Sequence, residues 1–223
     1  MARIARVVVP DIPHHIIQRG NRRQNVFFSD EDKWAYLKLL KQYAGEAGVS
    51  FWAWCLMDNH VHFIGVPSHE RSFHHAFGET HRRYSRMINF RNGWRGYLWQ
   101  GRFGSYPLSE QHLYAACRYV ELNPVHAGIV RQAEDYPWSS AKAHILKIKD
   151  PLGCDGFLND EITDWRDYLY SSEDQKMMKI VEQHARTGRP LGDETFVKKL
   201  ESLTGRVLRK LKPGPKLRAV LRN

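Results

Sequence analysis

The chain has 223 residues, enough for a full core in one main domain plus an appendage, and its 42% hydrophobic and 26% charged residues are ordinary for a globular protein. Its charge is less ordinary: 34 Lys and Arg against 24 Asp and Glu leave +10, with a pI near 9.6, which points to a polyanionic partner, nucleic acid ahead of an anionic surface. Cys55, Cys117 and Cys154 form no Cys-x-x-Cys pair, which excludes a zinc ribbon and a disulfide framework and fits a reducing cytosol. Val7-Val8-Val9 is too short for a signal-peptide core and no apolar run reaches membrane-spanning length, so a cytoplasmic, nucleoid-associated protein is expected.

In chain order, His14 to Gln18 reads as a first strand running into the polar turn Arg19-Gly20-Asn21-Arg22-Arg23. Ser29 followed by Asp30-Glu31-Asp32 is an N-cap with acids in the first turn. The helix it opens carries Trp34, Leu37, Leu40, Tyr43 and Ala44 at helical spacing and stops near Gly48. Val49 to Met57 is a strand, Asp58-Asn59 a turn, and His60 to Val66 the returning strand of a hairpin. Ser72 to about Asn89 is a second helix, basic on one side. From Arg71 to Arg102 there are seven arginines and one acid, Glu79, interleaved with Tyr84, Trp94, Tyr97 and Trp99. Aromatics among arginines suit stacking on unpaired bases with phosphate contact, although rings from Trp94 to Phe103 serve a core strand equally well.

Gly101 to Leu108 is the next strand. Ser109 caps a third helix, with Leu113, Ala116, Cys117 and Val120 on its apolar side and Asn123-Pro124 closing it. Strand–helix–strand–strand–helix–strand–helix predicts an α+β, ferredoxin-like antiparallel sheet with helices on one face. The composition changes after Trp138, giving a division into residues 1–140 and a mainly helical extension, 141–223. Asp150 to Asp174 holds eight acids and one arginine, and suits a bridging segment or a cover for the basic surface. Phe196, Leu200, Leu203, Val207 and Leu211 lie at helical spacing. From Arg206 onward there are seven basic residues and no acid, a tail that could neutralise phosphates.

Two features carry chemistry. His60 and His62 leave the same face of one strand, roughly 7 Å apart at the backbone, and rings leaning inward can share an ion at about 2.1 Å each. Tyr119 and Asn123 lie four apart on one helix face. Two imidazoles and a carboxamide oxygen make an open, mixed donor set suited to Mg²⁺ or Mn²⁺, which would polarise a scissile phosphate. A phenol with an ordinary pKa of about 10 needs a base or cation to attack. As nucleophile it would hold the phosphoryl group covalently and could pass it to another DNA end. Singly, a His-x-His, a helical tyrosine and an Asn-Pro helix stop are commonplace; their joint presence in one basic domain raises the catalytic reading. A non-catalytic DNA or RNA hairpin binder, and a phosphodiesterase using water, stay open on the residues alone.

Three stretches, Met57-Asp58-Asn59-His60-Val61-His62, Gly96-Tyr97-Leu98-Trp99-Gln100-Gly101-Arg102-Phe103 and Tyr119-Val120-Glu121-Leu122-Asn123-Pro124-Val125-His126-Ala127-Gly128, together resemble the single-tyrosine transposases of the HUH nuclease superfamily. The likeness covers roughly residues 10–140 and is closest to the branch associated with repetitive extragenic palindromes (REP), with a looser match at Gly188-Arg189-Pro190-Leu191-Gly192. It implies Tyr119 as nucleophile and His60, His62 and Asn123 as metal ligands. It also implies cleavage of single-stranded DNA near a hairpin, leaving a 5′-phosphotyrosine and a free 3′-OH. DNA contacts are expected from Arg19, Arg22, Arg23, Arg82, Arg83, Arg86, Arg102, Lys210, Lys212 and Lys216, in a monomer or a homodimer. Two positions depart from the pattern: Asp58 stands where Pro is common, adding a carboxylate near the metal, and His126 where Arg is common.

Overall fold

β-Branched and aromatic residues concentrate in four segments that pair into one antiparallel sheet: β1 (His14–Arg19), β2 (Val49–Met57), β3 (His60–Pro67) and β4 (Gly104–Pro107). This computed structural model describes residues 4–154, 157–171, 175–184 and 187–210. The strand order is β2-β3-β1-β4, with α1 (Asp30–Glu46) between β1 and β2 and α2 (Ser72–Arg91) between β3 and β4. The α+β layer expected from the sequence is therefore present, with β3 and β1 central. β4 is shorter than the Gly101–Leu108 expected, since only Gly104–Pro107 meet β1 and Gly101 sits at a φ of 68° outside the ladder. At the end of β1 the chain turns tightly: a Cβ on Gly20 would sit 2.2 Å from the Gln24 carbonyl, so only glycine fits.

α1 and α2 pack on each other and on one face of the sheet, where Phe63 meets Tyr36 and Phe77. Ser29 makes no side-chain cap. Instead the buried Asp32 carboxylate accepts the Phe28 N–H at 3.0 Å and takes Arg91 of α2 in a two-pronged ion pair at 2.6 and 2.8 Å. One of the seven arginines is thus spent on the fold. Trp34, expected on the apolar side of α1, is 56% exposed and lies edge-on to Trp138. The ring-rich stretch divides: Leu98, Trp99 and Phe103 are core, whereas Trp94 and Tyr97 are exposed.

α3 (Glu110–Glu121) lies against β2 and β3 on the opposite face from α1 and α2, so helices cover both faces of the sheet. α3 ends at Glu121, and Asn123-Pro124 follows that end as expected, but the dipeptide also does more. It opens α4 (Asn123–His126), with Pro124 in the first turn, where a missing N–H costs nothing. α5 (Ala141–Leu146), α6 (Phe157–Glu161), α7 (Trp165–Tyr170), α8 (Gln175–His184) and α9 (Glu194–Thr204) follow, and α7 and α8 pack on α3. One hydrophobic cluster runs from Ile16 through Leu158, Trp165 and Val181 to Leu191, across residue 140. In the acidic stretch Asp164 caps α7 and Asp150 accepts the Trp54 indole N–H, so part of that charge serves the fold. α9 ends at Gly205, whose φ of 64° makes a left-handed cap, leaving Val207 exposed instead of on the helix; Leu211 lies outside the described residues. All three cysteines are buried. Among the described residues no helix is long and apolar enough to cross a membrane.

Behind α3 sits a buried polar cluster. Glu121 accepts hydrogen bonds from Ser140 Oγ and from His144 Nδ1, the latter at 2.6 Å, and His144 stacks on Trp165 with ring centroids 3.9 Å apart. Burial opposes charge on His144, but the Glu121 carboxylate, its hydrogen bond and the Cys154 carbonyl outweigh it and raise the imidazole above its ordinary value. His144→Ala would leave a carboxylate without its partner and should cost about 3–5 kcal/mol of unfolding free energy, read as a lower urea midpoint. Because the folded pKa is raised, the pair's contribution is complete below about pH 6.5 and is lost as pH rises through the folded value. A His144→Gln protein should lack that alkaline loss. Equal midpoints for wild type and His144→Ala near pH 6 would refute the ion pair.

Candidate active site

Strand alternation decides which face receives the histidines. Phe63 points to α1 and α2, so His60 and His62 point to α3. Their ring centroids are 5.0 Å apart. In the β1 register Arg19 lies opposite His60 and Ile17 opposite His62, which brings Arg19 and His15 to the same face. His60 Nδ1 is hydrogen-bonded to the Asn59 carboxamide, and His62 Nδ1 to His15 Nε2 at 3.0 Å. His15 Nδ1 continues to the Tyr106 hydroxyl at 2.7 Å.

α3 supplies the second half. The Tyr119 ring stands edge-on to His62 at 5.5 Å between centroids and 5.9 Å from His15. One turn on, Asn123 lines the same groove as Tyr119 and His60, close enough to lower the phenol and raise the imidazole. Two adjoining grooves of about 610 Å³ each meet at Tyr119. Arg19, Tyr119 and Glu182 line both; Arg23, His62 and Arg102 line one, and His60, Asn123 and His126 the other. Met178, Lys179 and Glu182 of α8 form the outer wall.

Charge and burial set the resting states. Burial, then the charge of Arg19, lowers His60 to about 4, and burial with His60, His15 and Arg19 nearby holds His62 well below its ordinary value. Both rings are neutral at pH 7, the form that ligates a metal. Burial raises the Tyr119 phenol; Asn123 and Arg19 pull it down, and Glu182 pushes it up. The fit to a divalent cation rests on one atom: His62 Nε2 is buried with no hydrogen-bond partner among the described residues. A bare imidazole nitrogen beside a second imidazole and a carboxamide matches an open two-nitrogen, one-oxygen donor set. Among the described residues no three His, Cys, Asp or Glu side chains are spaced for an ion, and Asn123 is the oxygen donor that lines the groove beside His60.

The remaining expected residues are dispersed. Arg22 is exposed beside Arg23 at the end of β1. Arg82 and Arg83 pair with Glu79, and they and exposed Arg86 ride on α2, across the sheet from Tyr119. Lys210 lines a separate cavity with Arg189 and Arg209; Lys212 and Lys216 fall outside the described residues. The Asp58 carboxylate is held by Lys33 at 2.8 Å and lines neither groove. His126, the other departure, does line the site. Sequence reasoning missed His15, Tyr106 and Glu182. Only the doublet His14-His15, next to the predicted first strand, hinted at the first.

Residues 8–123, half of the chain, match the family described as "Transposase IS200 like". The protein belongs to the IS200-like transposase family. The REP-associated tyrosine transposase of Escherichia coli (strain K12) is 23% identical over 109 residues, which cover 48% of this chain and 64% of that protein. The chain thus spans a little under two thirds of this curated relative. A solved structure of a REP-associated tyrosine transposase bound to a REP hairpin superposes with a TM-score of 0.53 at 19% identity, covering 66% of this chain and 87% of the other, a likeness of fold. The curated relative agrees with the resemblance to the REP-associated branch drawn from the motifs.

In this IS200-like transposase the two charged neighbours of Tyr119 act in opposite directions. Ultraviolet titration, taken as a difference from Tyr119→Phe, should place the phenol nearer its ordinary value in Glu182→Gln and further above it in Arg19→Gln. No movement in either variant would mean that neither charge reaches the hydroxyl.

Proposed function

We propose that this protein is a metal-dependent single-stranded DNA endonuclease and strand transferase acting beside hairpin-forming repetitive extragenic palindromes in the cytoplasm. The observation that carries the reading is the meeting of the Tyr119 ring with His62, with His60 and Asn123 lining the same groove as Tyr119. A nucleophile-bearing helix and a ligand-bearing strand converge on one groove walled by arginines.

Mg²⁺ or Mn²⁺, held by His60, His62 and Asn123, would polarise the scissile phosphate. The rest belongs to the chain. Tyr119 Oη attacks phosphorus, the Oη–P bond forms, and the P–O3′ bond breaks. The phenol proton leaves to solvent and the departing 3′ oxygen takes one up, giving a 5′-phosphotyrosine and a free 3′-OH. Attack by another 3′-OH reverses the step and joins two ends. Arg19 stabilises charge on the phosphoryl oxygens and favours the phenolate. Arg23 and Arg102 line the path of the strand. The exposed Trp94 and Tyr97 offer rings to unpaired bases, on a segment tied to β1 by Asn21 N–H to Leu98 O and Gln100 N–H to Arg19 O. Arg22, Arg82, Arg83, Arg86, Lys210, Lys212 and Lys216 would add peripheral phosphate contacts. Residues 1–140 form the cleaving unit, and 141–223 the extension that closes the groove.

A labelled hairpin-bearing single strand incubated with Mg²⁺ or Mn²⁺ should give a protein–DNA adduct on a denaturing gel. Tyr119→Phe should abolish it, and His60→Ala should reduce it by more than a hundredfold. Cleavage without an adduct would assign the reaction to water; binding with no cleavage in any condition would leave a hairpin-binding protein. Since burial and Glu182 hold the proton on Tyr119, the single-turnover rate should climb from pH 7 to pH 9. A flat profile would mean that deprotonation of the phenol is not part of the barrier. Tyr97→Ala should weaken hairpin binding by about 1–3 kcal/mol if a base stacks there, and an unchanged Kd would remove that contact.

A further inference from the structure

His62 is held from behind by two residues that the cleavage chemistry does not use. His15 Nε2 lies 3.0 Å from His62 Nδ1, His15 Nδ1 lies 2.7 Å from the Tyr106 hydroxyl, and that hydroxyl lies 3.2 Å from the Val181 carbonyl of α8. All three side chains are buried. Val181 is in the last turn of α8, where carbonyls have no partner within the helix, so Tyr106 supplies one.

The far end of this chain sets its direction. A carbonyl can only accept, so Tyr106 gives its single proton to Val181. Tyr106 must then accept from His15, which places the His15 proton on Nδ1. A neutral imidazole protonated there carries a lone pair on Nε2, and that lone pair accepts from His62 Nδ1–H. His62 Nε2 is left bare, and it is this atom that lacks a partner among the described residues. With the chain reversed, Tyr106 would donate to His15, Val181 would lose its donor, and His62 would point an N–H where a cation needs a lone pair.

We propose that His15 and Tyr106 are positioning residues that lock His62 in the tautomer protonated on Nδ1, with the Val181 carbonyl of α8 as the anchor of the lock. The inference rests on the reading of His62 as a metal ligand given above. It gives α8 a role beyond walling the groove, because its carbonyl polarises the chain that ends on the ligand atom.

Nitrogen-15 NMR on the metal-free full chain tests this through long-range proton–nitrogen correlations of His62, assigned by their loss in His62→Gln. The wild type should show Nδ1 protonated and Nε2 bare. Tyr106→Phe deletes only the hydroxyl and should populate the Nε2–H form, with Mn²⁺ affinity by calorimetry falling ten- to a hundredfold. His15→Gln, whose carboxamide oxygen can still accept from Nδ1–H, should keep most of the affinity that His15→Leu loses. A wild-type His62 protonated on Nε2 overturns the proposal whether or not any variant folds. So does a folded Tyr106→Phe protein with unchanged tautomer and unchanged Mn²⁺ affinity. A wild type with Nε2 bare that binds no Mn²⁺ would support the lock and refute the metal reading instead.

Discussion

The candidate site depends on the pleat of β3. Residues two apart share a face, so the strand that sends Val61 and Phe63 into the aromatic core sends His60 and His62 toward α3. A slip of one residue against β1 would drive both imidazoles into the core and bring Phe63 to the groove. The buried ring cluster of Phe63, Tyr36 and Phe77 therefore fixes the register of His60 and His62 as well as contributing stability. Hydrophobic burial on one side of the sheet positions the chemistry on the other.

α3 is held to the same standard by different forces. Its groove side carries Tyr119 against the sheet histidines, and Asn123 follows one turn later. Elsewhere on the helix are a buried Glu121 bonded to Ser140 and His144, and a buried Arg118 that donates to the Tyr168 carbonyl at 2.7 Å and lies over the Tyr168 ring. A buried ion pair contributes little net stability but is costly to break, which suits a helix whose rotation would move Tyr119 away from His62. The Glu121 of the Tyr119–Asn123 motif is thus a fastening, while Tyr119 and Asn123 face the groove.

The segments beyond residue 140 are part of the site as much as of the scaffold. α8 packs on α3, walls the groove with Met178, Lys179 and Glu182, and places the Val181 carbonyl on the Tyr106 hydroxyl. Arg19 and Glu182 flank the same phenol with opposite charge. Beyond its burial, the Tyr119 phenol is thus biased by the charge of one residue from the first strand and one from the eighth helix, more than 160 positions apart.

What the sequence determined by itself is local. The two-residue period of His60 and His62 and the four-residue spacing of Tyr119 and Asn123 follow from strand and helix geometry, and the order of elements already implied the antiparallel sheet. Where the reading missed, a tertiary contact had won. Arg91, though still exposed at the surface, pairs with Asp32, Trp34 lies against Trp138 at the surface, and Asn123-Pro124 begins a further turn as well as following the end of α3. Only the tertiary structure decided that α3 lies across the sheet from α1 and α2, or that His15, Tyr106, Glu182 and His144 have partners at all. The physical reason is range: backbone periodicity acts over a few residues, whereas burial and a neighbour's charge, which set protonation and tautomer, come from segments that meet only once the chain has folded.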